Sequence, residues 1–204
     1  MNEDKPAPDD APQPPQHVSA RVPDRVGPGV FSTGVILMTG RNEFIFDFVQ
    51  NMSRPHRVAA RVIIPHAVMP QFIEALKTNV ALYTKNFGPP PSLPKPVSQQ
   101  PPPTAQQIYD DLKLPDEMLP GAYANGVMIG HNASEFGFDF LTNFLPHSAV
   151  SCRVFLSAPQ VPRLLESMTG TFRQFEERVR QQREQSQRGE DLPPPPPDES
   201  DDEA

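Results

Sequence analysis

The chain reads as an α+β protein built from two tandem βββα repeats, each an antiparallel meander followed by one helix. Three observations predict this. Residues 31–87 align with residues 123–179 without a gap at an offset of 92, and thirteen of the 57 pairs are identical. Phenylalanine alternates with other residues at Phe44, Phe46 and Phe48, and again at Phe136, Phe138 and Phe140. Each aromatic run is followed by an apolar stripe at spacings of three and four. A repeat of this length marks a structural unit used twice.

The first strand of each unit is expected at Thr33–Thr39 and Asn125–His131. Turns at Gly40-Arg41-Asn42 and Asn132-Ala133-Ser134 lead to second strands at Glu43–Val49 and Glu135–Leu141. Period-two alternation with aromatics is a strand signal. Loops through Pro55 or Pro146 lead to third strands at Arg57–Ile64 and Ala149–Leu156, and connections this short make antiparallel neighbours.

The helix of the first unit carries Met69, Phe72, Ile73, Leu76, Val80, Tyr83 and Phe87. The second repeats them position for position as Val161, Leu164, Leu165, Met168, Phe172, Phe175 and Val179. Such stripes are amphipathic faces and are expected to cover each unit's own phenylalanines. Pro70 and Pro162 belong in first turns, where a missing amide costs nothing, and Ser157 with Gln160 has the spacing of a capping box. The opposite sheet faces, assigned Val35, Leu37, Ile45 and Ile63 and then Val127, Ile129 and Phe155, are too apolar to face water. A unit of about 60 residues buries only about 60% of its unfolded surface. The two repeats are therefore expected to pack as a pseudo-twofold pair, an intramolecular pseudo-dimer with sheets back to back or edge to edge.

Proline sets the boundaries. Of 28 prolines, seven lie in residues 1–28, eight in 89–103 and five in 193–197. Such segments bury too little apolar surface to offset chain entropy. The expected organisation is a disordered Pro-rich acidic tail over 1–28, a first repeat over 29–88, and a Pro-rich linker with a short helix over 89–119. The second repeat, with an extended C-terminal helix, follows over 120–185, and a disordered acidic poly-Pro tail over 186–204.

Residues 1–189 carry 18 basic and 18 acidic side chains, and the net charge of −7 resides in seven acids after Gly189. A neutral body argues against strong phosphate neutralisation. The single Cys152 excludes an internal disulfide and suits a reducing compartment; strand alternation makes it a small core residue rather than a nucleophile. Nothing approaches the roughly 18 apolar residues of a membrane span, so a cytoplasmic protein is expected.

Little catalytic chemistry is visible. His17, His56, His66, His131 and His147 have no metal-ligand spacing and are read as surface or loop residues. No nucleophile triad, phosphate loop or zinc motif is present, and no catalytic, metal or cofactor site is expected. The candidate polar sites are two pairs, Asp47 with Arg61 and Asp139 with Arg153. A hairpin centred near Arg54 sets each pair opposite on neighbouring strands; a cross-strand ion pair fixing register is the favoured reading, and two symmetric functional polar sites the alternative.

The run Leu112–Phe140 contains Tyr123-Ala124-Asn125, then Ser134-Glu135-Phe136 with Asp139-Phe140. With Pro159 or Pro162 and the late Phe175, it resembles domain-of-unknown-function family 3467. The first repeat is a looser copy, with Phe31-Ser32-Thr33 and Asn42 in those places. The resemblance implies two copies of one domain and brings no known activity. The expected function is a non-enzymatic protein-interaction or assembly module, its proline-rich arms suited to recruiting protein partners. The alternative is single-stranded nucleic-acid binding, or a transcription-associated role, with an autoinhibitory acidic tail.

Overall fold

The computed structural model of the chain describes residues 20–94, 105–144 and 147–190. The fold is α+β, with two sheets and three helices among the described residues. The strands are β1 (Val30–Ser32), β2 (Gly34–Thr39), β3 (Glu43–Gln50), β4 (His56–Pro65), β5 (Leu112–Lys113), β6 (Ala122–Tyr123), β7 (Gly126–His131), β8 (Glu135–Phe144) and β9 (His147–Ser157). The helices are α1 (Met69–Phe87), α2 (Ala105–Asp110) and α3 (Val161–Glu190). Strands β2, β3 and β4 pair antiparallel in sequence order, as do β7, β8 and β9. The register slips between Phe48 and Val49 and, in the second half, between Phe140 and Leu141. Such a bulge twists the strand and leaves one residue without an opposite number, here Ala59 and Ser151.

Phe44, Phe46, Phe48, Phe136, Phe138 and Phe140 are all fully buried in one core shared by both sheets and by α1 and α3. Val35 lies opposite Phe48 and Leu37 opposite Phe46. Directly opposed residues share a face, so these two belong to the phenylalanine side, as do Val127 and Ile129. This corrects the face expected for them. Alternation along one strand fixes which residues share a side, whereas the hairpin register decides which side that is. Ile45, Ile63 and Phe155 do lie on the outer face, with Asp47 and Arg61.

The helices are exchanged between the halves rather than kept over their own sheets. Phe72 on α1 touches Phe46 at a ring distance of 5.6 Å, but also Phe138 at 6.1 Å and Phe140 at 5.7 Å. Further along, Tyr83 packs 5.2 Å from Phe136 and its hydroxyl donates to the Ala133 carbonyl at 2.8 Å. In return Phe172 and Phe175 of α3 reach Phe44 at 6.3 and 5.5 Å. Pro70 and Pro162 sit in the first turns of α1 and α3. Ser157 makes no side-chain cap, and Gln160 instead donates its amide to the Thr33 carbonyl at 2.9 Å. The expected capping box is therefore replaced by a tie between the halves.

The outer faces are not covered by the opposite sheet. β1, which leads into the first meander, pairs parallel with β9, and β6, which leads into the second, pairs parallel with β4. The registers match at the offset of 92: Phe31 faces Phe155, and Tyr123 faces Ile63. Each half thus sends an arm across to the last strand of the other. Residues 20–28, expected in the disordered tail, are docked: Arg21 donates to Ser148 at 2.9 Å and its carbonyl accepts from Val150 at 2.8 Å. The equivalent residues of the linker pair β5 with His56 and Arg57. Here α2 is the short helix of the linker, and α3 continues to Glu190, past the expected end at 185. The remaining Pro-rich segments expected to be disordered, 1–19, 95–104 and 191–204, lie outside the described residues. No helix among the described residues is long and apolar enough to cross a membrane.

Candidate functional site

Each predicted pair is brought together by the hairpin register, Asp47 opposite Arg61 and Asp139 opposite Arg153. Arg61 grips Asp47 through Nε and Nη2, both at 2.7 Å, and Arg153 grips Asp139 at 2.6 and 2.7 Å. Parallel two-pronged contacts of this kind are the strong form of the arginine–carboxylate pair. Hydrogen bonding to its aspartate pushes each guanidinium pKa above the ordinary arginine range, against an opposing pull from burial. The remaining Nη1 of Arg153 donates to the Gly27 carbonyl at 3.1 Å, and that of Arg61 reaches Leu119 at 3.5 Å. Both carbonyls belong to the arm arriving from the other half. Each pair therefore bridges two neighbouring strands and its arginine also reaches the exchanged arm.

Glycine is required where each arm turns down onto its sheet. Gly29 and Gly121, equivalent at the offset of 92, have φ of 66° and 67°. A Cβ on Gly29 would lie 2.6 Å from the Phe155 ring, and one on Gly121 2.9 Å from Ile63 Cδ1. Left-handed backbone and close approach both exclude a side chain.

The two arms and the last strands enclose a cleft of about 500 Å³ at the junction. Arg61 and Arg153 both line it, with Arg25 and Glu117 from the arms, Cys152, and the pair Tyr123 and Phe144. The rings of Tyr123 and Phe144 are parallel to within 4° at 6.0 Å and are 43% and 60% exposed. Cys152 packs against the core, and burial, with Asp139 adding to it, pushes its thiol up to about 11. It is a poor nucleophile at neutral pH.

The halves differ on their outer faces. Tyr109 of α2 donates its hydroxyl to Asp47 Oδ2 and lies 3.5 Å from the Met38 sulfur. Burial, then the Asp47 contact, drives this phenol far above its ordinary range. Asp47 is wholly enclosed, whereas Asp139 retains 18% exposure. His66 and His131, expected at the surface or in loops, instead join the aromatic packing. His66 lies 4.8 Å from Phe44 and 4.0 Å from Phe175, with Nε2 3.1 Å from the Glu43 carbonyl. His131 is packed among Tyr83, Phe87 and Phe136. No cluster of three or more potential metal ligands occurs among the described residues.

Sequence reasoning missed the arms, the cleft aromatics and Tyr109. The arms did have a signal: Pro23/Pro115, Asp24/Asp116, Pro28/Pro120 and Gly29/Gly121 continue the repeat upstream at the same offset. Tyr109 has no matching tyrosine in the first half, where His17 holds the position.

No curated protein matches the sequence. The model of the family described as "Protein of unknown function (DUF3467)" matches twice in tandem, over residues 1–90 and 95–181. These matches take in both halves of the fold, and the chain belongs to the DUF3467 family.

Proposed function

We propose that the protein is a non-enzymatic interaction or assembly module of the cytoplasm. Its two βββα repeats form a pseudo-twofold pair stitched together by exchanged arms, and the cleft at their junction is the docking site for a protein partner. The observation that carries this reading is the composition of the cleft rim: exposed Tyr123 and Phe144 beside the exposed Arg25. Aromatic residues and arginine are the side chains enriched at interface centres and at energetic hot spots. Proline-rich segments either side of the folded halves suit partner recruitment.

A nuclease-treated affinity capture tests it, using the full chain alongside Phe144→Ala and Arg25→Glu variants. The reading expects one defined protein partner, retained after nuclease and lost from both variants while their melting temperatures stay unchanged. Recovery that ignores the two substitutions would contradict it.

A second reading, single-stranded nucleic-acid binding restrained by the acidic tail, is favoured by the parallel exposed rings of Tyr123 and Phe144. Base stacking uses such platforms. It ranks second because Arg61 and Arg153 are already committed to aspartates and residues 1–189 are electrically balanced. If it held, removing residues 189–204 would tighten single-strand binding, and affinity would fall steeply with salt.

A further inference from the structure

The outer faces of the two sheets are equivalent, yet among the described residues only the first is capped. There, Tyr109 closes over Asp47, beside Met38 and on the same face as Ile45. At the offset of 92 the counterparts of Met38 and Ile45 are Gly130 and Gly137. Two large side chains are thus absent, and a hollow of about 510 Å³ opens over β7, β8 and β9. Its floor is the two glycines; Met128 and Phe155 flank it, Asp139 and Arg153 line it, and Glu135 stands at its rim. A Cβ on Gly130 would meet nothing within 4 Å, while one on Gly137 would rest 3.4 Å from the Phe155 ring. Asp139 accepts two hydrogen bonds from Arg153, and a carboxylate can accept about four.

The geometry points to this hollow as a binding site for a tyrosine side chain presented by a partner protein, entering as Tyr109 enters the first half. The chemistry selects a neutral phenol. Arg153 already balances the Asp139 charge, so no cation is called for, whereas an acceptor-rich carboxylate gains from one more O–H donor. Phe155 and Met128 supply apolar walls for the ring. Asp139 and Glu135 would repel a phosphorylated tyrosine, so phosphorylation of the partner would abolish docking. The site shares Arg153 with the junction cleft but opens on the outer face of β7, β8 and β9, and its test does not depend on that cleft.

The test uses NMR on the full chain with three probes: p-cresol, toluene, and a peptide of residues 105–113 in plain, Tyr109→Phe and phosphotyrosine forms. The inference expects p-cresol and the plain peptide to shift the amides of Gly130, Gly137, Asp139 and Phe155, with binding weakened at least tenfold when the hydroxyl is absent or phosphorylated. Gly130→Val should abolish the shifts without disturbing the fold, since its side chain enters open space, and Asp139→Asn should erase the preference for p-cresol over toluene. Equal binding of toluene, or shifts that survive Gly130→Val, would overturn the site. Binding seen only in a chain lacking residues 1–19 would make the protein's own amino-terminal segment the occupant and overturn the partner assignment.

Discussion

Asp47 and Asp139 hold equivalent positions but are enclosed to different degrees, and that difference has measurable consequences. Removing one partner of a buried pair strands the other charge, at about 3–5 kcal/mol. Asp47→Ala leaves Arg61, whose side chain is 13% exposed, and the Tyr109 phenol without their acceptor. It should therefore incur that full loss. Asp139→Ala leaves Arg153, 24% exposed and able to recover water, so about 1–3 kcal/mol is expected. Denaturant midpoints at unchanged slope will give the order. Cys152 provides a second test. Its thiol is pushed up to about 11 from an ordinary value near 9, so at pH 8 the native thiolate fraction is roughly a hundredfold below that of the unfolded chain. Alkylation should be slow in native buffer and fast in denaturant. Because the folded pKa is raised, the unfolded state releases its proton first on going alkaline. This residue's contribution to stability is thus intact below about pH 8.5 and declines as the pH rises from there towards 11.

At the scale of elements, the arms are the part most sensitive to one atom. Gly121→Ala and Gly29→Ala each combine a left-handed backbone with a contact under 3 Å. Each should cost about 1–3 kcal/mol. The Gly121 variant should also speed amide exchange at Ala124, whose N–H bonds to the Ile63 carbonyl across the arm pairing. Exchange at Ala124 equal to the wild type would show that the arm is held by something else. The meanders and helices were legible because periods of two and 3.6 are local properties. The Asp–Arg pairs were legible because both members recur and a short hairpin leaves little freedom in their register. The phase of Val35 and Leu37 was not, since it depends on the turn. The arms were illegible as strands, being only two or three residues long and paired with partners far away in sequence. Tyr109 was illegible as a cap for a related reason: nothing in its own segment announces the aspartate it closes.

For the whole molecule, the exchanged helices and arms predict that neither half folds alone. Phe72 of the first half packs on Phe138 and Phe140, Phe44 packs on Phe172 and Phe175, and each last strand pairs with the other half's arm. Phe72→Ala, at about 3–5 kcal/mol, should accordingly lower the melting of both halves in one transition, followed by signals from each sheet. Exchanged elements also mean that a half given no partner must either stay unfolded or find a second copy of itself. The most direct measurement is sedimentation and denaturant unfolding of residues 20–94 expressed alone. The exchanged architecture predicts a chain that is unfolded when dilute, or one that folds only as a concentration-dependent homodimer. A monomer that unfolds in a single cooperative transition, independent of concentration, would contradict it.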